Sequence, residues 1–148
     1  MHERIGQQPA YRAIDGKVVR RADRDEASGF RLLERMRLAL TAAGVVGIAA
    51  ILVLSLVPGD LRPHIVPSSR MEHVMAYFCV MSAFGLSARS VRQALGAALL
   101  LGCVASLAEI AQGYVPGRHA DLTDALYGGL GILLGLLLSG VAAGVQRR

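Results

Sequence analysis

Apolar residues are concentrated in four long runs, which are separated by short polar stretches and preceded by a longer one. The runs occupy residues 38–57, 72–88, 94–115 and 124–145. An α-helix rises about 1.5 Å per residue, so about 20 residues cover the roughly 30 Å hydrocarbon core of a bilayer. The pattern therefore predicts an all-α, polytopic membrane protein with four transmembrane helices.

The residues before the first run form a separate, basic segment. Residues 1–37 hold nine basic and six acidic side chains, and their first half includes Gly6, Pro9 and Gly16. We predict a cytoplasmic tail that is partly disordered. Residues 28–37 either form a short interfacial helix or belong to this solvated tail. Residues 38–148 are predicted to form one four-helix membrane domain.

Composition supports a membrane protein and narrows its partners. The chain is 53% hydrophobic and 18% charged, which is more apolar than an ordinary soluble domain of its size. Its formal net charge is +5, and every Lys and Arg lies outside the four apolar runs. Anionic lipid headgroups are the predicted partner of this charge. Nucleic acid is not predicted, because no nucleic-acid-binding motif accompanies the basic residues.

The distribution of Lys and Arg predicts the orientation of the helices. Thirteen of the sixteen lie in the tail, between the second and third runs, or after the fourth run. Cytoplasmic loops are enriched in these residues, so we predict an N-in, C-in topology with Arg62, Arg70 and Arg118 outside. His73, at the start of the second helix, and Glu109, near the end of the third, then meet at the outer face.

Polar and ionisable residues gather at this predicted outer face. His73 and Tyr77 are spaced i, i+4, and Glu109 and Gln112 are spaced i, i+3, so each pair shares one helix face. Placing such groups at a membrane boundary costs free energy unless they are paired with other polar groups, so their presence indicates either pairing or a function. The predicted site comprises His73, Tyr77, Glu109, Gln112, Arg118, Asp121 and Asp124.

Several of these residues have a functional and a structural interpretation. His73 with Glu109 or Asp121 would form an acid–base pair, and Arg118 would hold a phosphate. Alternatively, Glu109 and Arg118 form a structural ion pair and Asp121 caps the fourth helix. Tyr77 is either part of the site or an aromatic anchor at the membrane interface.

No metal ion or other cofactor is predicted. One His among two or three carboxylates is a conceivable site for a divalent cation. However, the H-E-x-x-H and Cys/His patterns that mark zinc sites do not occur in the sequence.

The fourth apolar run is rich in glycine. Gly131 and Gly135, and Gly140 and Gly144, form two small-xxx-small pairs that let a neighbouring helix approach closely. We expect tight packing within the bundle, with oligomerisation through this helix as the alternative.

Three segments resemble the VanZ-like membrane protein family. They are L-S-L-V-P at residues 54–58, R-M-E-H-V-M-A-Y at residues 70–77, and E-I-A-Q-G-Y-V-P-G-R-H-A-D-L-T-D-A-L at residues 109–126, followed by Gly131. The third segment is the longest and most specific, and the resemblance covers about residues 45–140.

Two positions depart from the family. Its members often have Asp-Lys where this chain has Ser69 and Arg70, so the cation is kept and the acid is lost. They also tend to have Asn four residues after Asp124, where this chain has Gly128. A divergent member with a different substrate would show such changes.

The resemblance implies a multi-pass protein of the bacterial cytoplasmic membrane and cell envelope. The family's namesake is linked to low-level resistance to the glycopeptide teicoplanin. We expect this chain to bind an anionic lipid or a lipid-linked cell-wall precursor at the outer face. Whether it also modifies that lipid, with His73 and Glu109 as catalytic residues, stays open. The alternative is a non-enzymatic membrane accessory or assembly protein whose polar cluster is structural.

Overall fold

Four helices account for nearly all of the residues that the computed structural model describes, which are 9–58, 69–116 and 121–146. They are α1 (Pro9–Leu56), α2 (Ser69–Ser87), α3 (Val91–Gln112) and α4 (Leu122–Gln146). The predicted all-α class is confirmed for these residues. The chain divides into two units, Met1–Met36 and Arg37–Arg148, and α1 contributes residues to both.

Helix α1 differs from the prediction because it begins well before the first apolar run. The sequence predicted a partly disordered tail, whereas the described part of that tail is helical from Pro9 onward. Proline is favoured at the first position of a helix, where its missing N–H costs nothing. The next proline along the chain is Pro58, two residues after the end of the helix, so no further proline interrupts this 48-residue helix. Residues 1–8 lie outside the described residues.

Among the described residues, three segments are long enough and apolar enough to cross a membrane, namely Glu26–Leu56, Val91–Gln112 and Leu122–Val145. Leucines on α3 and α4, such as Leu99 and Leu137, are exposed, as expected of side chains that face lipid. Helix α2 does not reach the same apolarity, because its first five residues include Arg70, Glu72 and His73.

The helix ends follow from local capping. Ser90 accepts a hydrogen bond from the Gln93 amide at 3.3 Å, which starts α3 at Val91, three residues before the predicted boundary. Gly113 ends the helix as its C-terminal cap. Asp121 Oδ1 accepts a hydrogen bond from the Thr123 amide at 2.9 Å, so α4 starts at Leu122 rather than at residue 124.

Helix α2 packs directly against α4, and glycines make the contact close. A Cβ atom at Gly131 would overlap the Val74 carbonyl oxygen, and one at Gly135 would lie 2.8 Å from Met81 Cβ. Near the other end of α2, a Cβ at Gly85 would lie 2.5 Å from Ser139 Oγ. Packing within the bundle is therefore confirmed for the Gly131–Gly135 pair.

The same contacts fix the direction of the helices in the second unit. Residue numbers rise together along the α2–α4 contact, from Val74 against Gly131 to Gly85 against Ser139, so these helices run parallel. Helix α1 runs antiparallel to α2, because Gly44 lies against Phe84 and Gly47 against Val80. The short connection between α3 and α4 makes that pair antiparallel.

The buried core lies around α2. Its fully buried members are Met81 of α2 and Leu101 of α3. The up-and-down arrangement places the N-termini of α2 and α4 and the C-terminus of α3 at one end of the bundle. The candidate residues lie at that end.

Candidate functional site

His73 lies at the centre of the site, between carboxylates from two other helices. Its Nε2 atom is 3.6 Å from Glu109 Oε1, and its Nδ1 atom is 3.9 Å from Asp124 Oδ2. His73 and Glu109 are buried, and Asp124 is half-buried. We call His73, Glu109 and Asp124 the histidine–carboxylate cluster. Helices α2, α3 and α4 contribute one residue each, so the cluster exists only when these helices are assembled.

Glu109 is held by the start of α4. The Asp121 amide donates a hydrogen bond to Glu109 Oε2 at 3.3 Å. The amides at a helix N-terminus carry partial positive charge and favour a carboxylate. Glu109 lies one turn from the end of α3, so this hydrogen bond ties the end of α3 to the start of α4.

Asp121 caps α4 and is not the second carboxylate beside His73. Its carboxylate accepts from the Thr123 amide, and its carbonyl oxygen accepts from the Asp124 amide at 2.9 Å. The nearby Thr123 hydroxyl and the hydrogen bond from the Thr123 amide lower the pKa of the Asp121 carboxyl below its ordinary value. The predicted pairing of His73 with Glu109 agrees with the contacts, whereas Asp124 takes the place proposed for Asp121.

Tyr77 and Gln112 are the most deeply buried of the described candidate residues. Each is only 2% exposed, so Tyr77 lies inside the bundle and does not face lipid headgroups as an interfacial anchor would. Tyr77 lies close enough to Glu109 for the two to interact electrostatically. Gln112 lies one turn after Glu109 on the same face of α3. Its Nε2 atom has no hydrogen-bond partner among the described residues.

Gly128 makes room for the Tyr77 ring. A Cβ atom at this position would lie 3.0 Å from both Tyr77 Cδ2 and Tyr77 Cε2. An asparagine at this position would force the ring to move. The position of the Tyr77 ring therefore depends on the absence of a side chain at Gly128.

Arg70 is a cation of this site that the sequence prediction did not include. Its guanidinium lies 5.7 Å from the centre of the Tyr127 ring, and it interacts electrostatically with Asp121. The sequence offered one indication of this position, because Arg70 and His73 are spaced i, i+3 and therefore lie on the same face of α2. The predicted phosphate-binding residue Arg118 lies outside the described residues.

Comparison with known proteins gives no relative. The chain matches no model of a protein family, no curated protein and no solved structure. The interpretation of the site therefore depends on the residues and their geometry.

This geometry permits two kinds of chemistry. Carboxylates on both sides of an imidazole orient the ring, which suits proton transfer. The ligand-type atoms of the histidine–carboxylate cluster also lie within 4.8 Å of one another, which brings them within reach of a single cation. Both uses draw on the same three side chains.

Proposed function

We propose that this chain is a VanZ-like protein of the bacterial cytoplasmic membrane with four spans in an N-in, C-in topology. Among the described residues, three helices are long enough and apolar enough to cross a membrane on their own. The proposal for α2 is supported by its parallel contact with α4 from Val74 to Gly85, which puts the two helices at the same depth. A helix enclosed by other helices needs less apolar surface than one facing lipid. The Lys and Arg distribution supports the orientation.

The proposed function is binding of the headgroup of an anionic lipid or lipid-linked cell-wall precursor at the outer face. The observation that carries it is the convergence of His73, Glu109 and Asp124, from three helices, at the end of the bundle that also holds Arg70. Ionisable groups within membrane helices are expensive and usually serve a function. Arg70, together with Arg118, would hold the phosphate.

If the lipid is also converted, His73 is the group that would transfer the proton and Glu109 the carboxylate that would orient it. The link to teicoplanin resistance implied by the family resemblance is a further prediction. It is tested by comparing teicoplanin susceptibility in cells with and without the protein.

Lipids that co-purify with the protein test this proposal. Mass spectrometry would compare wild type, Arg118→Ala and Arg70→Ala before and after incubation with a polyprenyl-phosphate lipid. The matched control is Arg92→Ala, which removes an exposed arginine at the other end of α3. A phosphate lipid held by wild type and the control, but lost from the other two, supports the site. A changed lipid mass would show turnover. Equal retention in all four proteins contradicts it.

One observation favours a second function, a non-enzymatic accessory or assembly protein. The hydrogen bond from the Asp121 amide to Glu109 ties α3 to α4, so the cluster has a structural consequence whatever it binds. This alternative predicts that changes at Glu109 lower stability in detergent without a selective loss of lipid.

A further inference from the structure

Arg70 and Tyr127 form a contact between α2 and α4 at the end of the bundle that holds the histidine–carboxylate cluster. The guanidinium carbon of Arg70 lies over the Tyr127 ring, 5.7 Å from its centre. Residues four apart lie above one another on a helix, so this contact continues the row in which Val74 meets Gly131. Because Gly131 has no side chain, the two helices approach closely enough for the arginine to reach the ring.

The Arg70–Tyr127 contact lies beside the cluster. Arg70 precedes His73 by one turn of α2, and Tyr127 follows Asp124 by one turn of α4. His73 Nδ1 and Asp124 Oδ2 are themselves 3.9 Å apart. Carboxylates repel an anionic headgroup, so a phosphate bound at this end of the bundle needs a cation held next to them.

The partner of Arg70 is a neutral ring. An ion pair with a carboxylate would neutralise the guanidinium and occupy its N–H donors. An aromatic ring attracts the cation through its quadrupole and adds no charge of its own. The Asp121 carboxylate also attracts Arg70, but it already accepts a hydrogen bond from the Thr123 amide. Among the described residues, Arg70 forms no ion pair with a carboxylate, so its charge is available to an anion.

We propose that Tyr127 is a positioning residue that holds the Arg70 guanidinium in place for the phosphate of the lipid headgroup. The guanidinium presents a fork of N–H donors that matches the oxygens of a phosphate. An arginine side chain has several rotatable bonds, and a ring that restricts them lowers the entropy lost on binding. This inference rests on the proposed function and specifies how its phosphate contact is organised.

Titration with a phosphate lipid tests the role of the ring. Purified full-length protein in detergent would be titrated with a polyprenyl-phosphate lipid and, in parallel, with the phosphate-free polyprenol. Tyr127→Leu, which removes the ring, should bind the phosphate lipid about two- to fivefold more weakly, whereas Tyr127→Phe keeps the ring and should bind as wild type. Binding of the polyprenol should be unchanged. The matched control is Tyr114→Leu, which removes an 86% exposed tyrosine just after α3 and should have no effect.

The double variant Arg70→Ala/Tyr127→Leu distinguishes positioning from a purely structural role. If the ring acts through the arginine, Tyr127→Leu should cause no further loss of phosphate-lipid binding in a protein that already carries Arg70→Ala. Melting temperatures of the single variants would show that they are folded. An equal loss in both backgrounds, or a loss of polyprenol binding as well, would indicate a structural role and overturn the inference.

Arg70→Ala also separates this inference from the proposed function. If Arg70→Ala binds the phosphate lipid as wild type does, the proposed phosphate contact fails and the role of Tyr127 fails with it. If Arg70→Ala binds more weakly but Tyr127→Leu binds as wild type, only the role of Tyr127 is overturned and the proposed function stands. Equal weakening by Tyr127→Phe and Tyr127→Leu also overturns that role, because the hydroxyl rather than the ring would then be responsible.

Discussion

Substitution of Gly135 by Ala tests the close α2–α4 packing that assembles the site. The new Cβ would lie 2.8 Å from Met81 Cβ and 3.0 Å from the Phe78 carbonyl oxygen, whereas ordinary contact begins at 3.4 Å. The helices would have to separate by about 0.6 Å at this point. Overpacking of this kind costs about 1–3 kcal/mol, and the higher helix propensity of alanine returns up to about 1 kcal/mol. We expect a net loss of up to about 2 kcal/mol.

Gly140→Ala is the matched control, because no described atom lies within 4 Å of the Cβ that it would add. It gains helix propensity without a clash, so its stability should rise by up to about 1 kcal/mol. Thermal unfolding in detergent, followed by circular dichroism, should therefore shift the melting temperature in opposite directions, by about 2–4 °C per kcal/mol. Stabilisation by both substitutions would refute the packing argument. Destabilisation by Gly140→Ala would indicate a contact with another copy of the chain.

Three further predictions concern the site and the topology. Gly128→Asn should displace the Tyr77 ring and weaken lipid retention, as measured by mass spectrometry; unchanged retention would contradict the coupling of these positions. Asp121→Ala should lower the melting temperature more than Asp121→Asn, because Asn also caps helices but carries no charge. The part of the cap's contribution that requires the ionised carboxylate should be present at neutral pH and lost as the pH falls through the lowered pKa of the folded state. The orientation can be tested by labelling single cysteines in a chain whose native cysteines have been replaced. Arg70→Cys should react with an impermeant thiol reagent added outside the cell, whereas Arg92→Cys should react only after permeabilisation. The reverse result would contradict the N-in, C-in orientation.

The helices were largely predictable because apolar runs of membrane length have few alternatives to an α-helix. The boundaries of the helices were less predictable, because Ser90 and Asp121 act as caps and extend α3 and α4 beyond the apolar runs. Helix α2 shows the limit of hydropathy. The polar residues at its start reduce its apolarity, and its place against α4 depends on glycine contacts that composition does not reveal.

Sequence spacing placed candidate residues on shared helix faces but did not predict which residues of other helices they contact. The i, i+3 and i, i+4 rules place residues on one helix, whereas the contact of His73 with Asp124 depends on the parallel packing of α2 and α4. Asp121 and Asp124 are both carboxylates near the start of α4, and only the capping hydrogen bonds distinguish them. Arg70 was overlooked because its role comes from its contact with Tyr127 on another helix.

Glu109→Gln provides the most direct test of the claim that the buried cluster is a binding site. The same purified samples of wild type, Glu109→Gln and the control Glu72→Gln would be divided between lipid mass spectrometry and thermal unfolding. Glutamine keeps an oxygen that can accept the hydrogen bond from the Asp121 amide, so the tie between α3 and α4 is preserved. We expect Glu109→Gln to lose the phosphate lipid at an unchanged melting temperature. A lower melting temperature with the lipid fully retained would contradict a binding site and show that the cluster is structural.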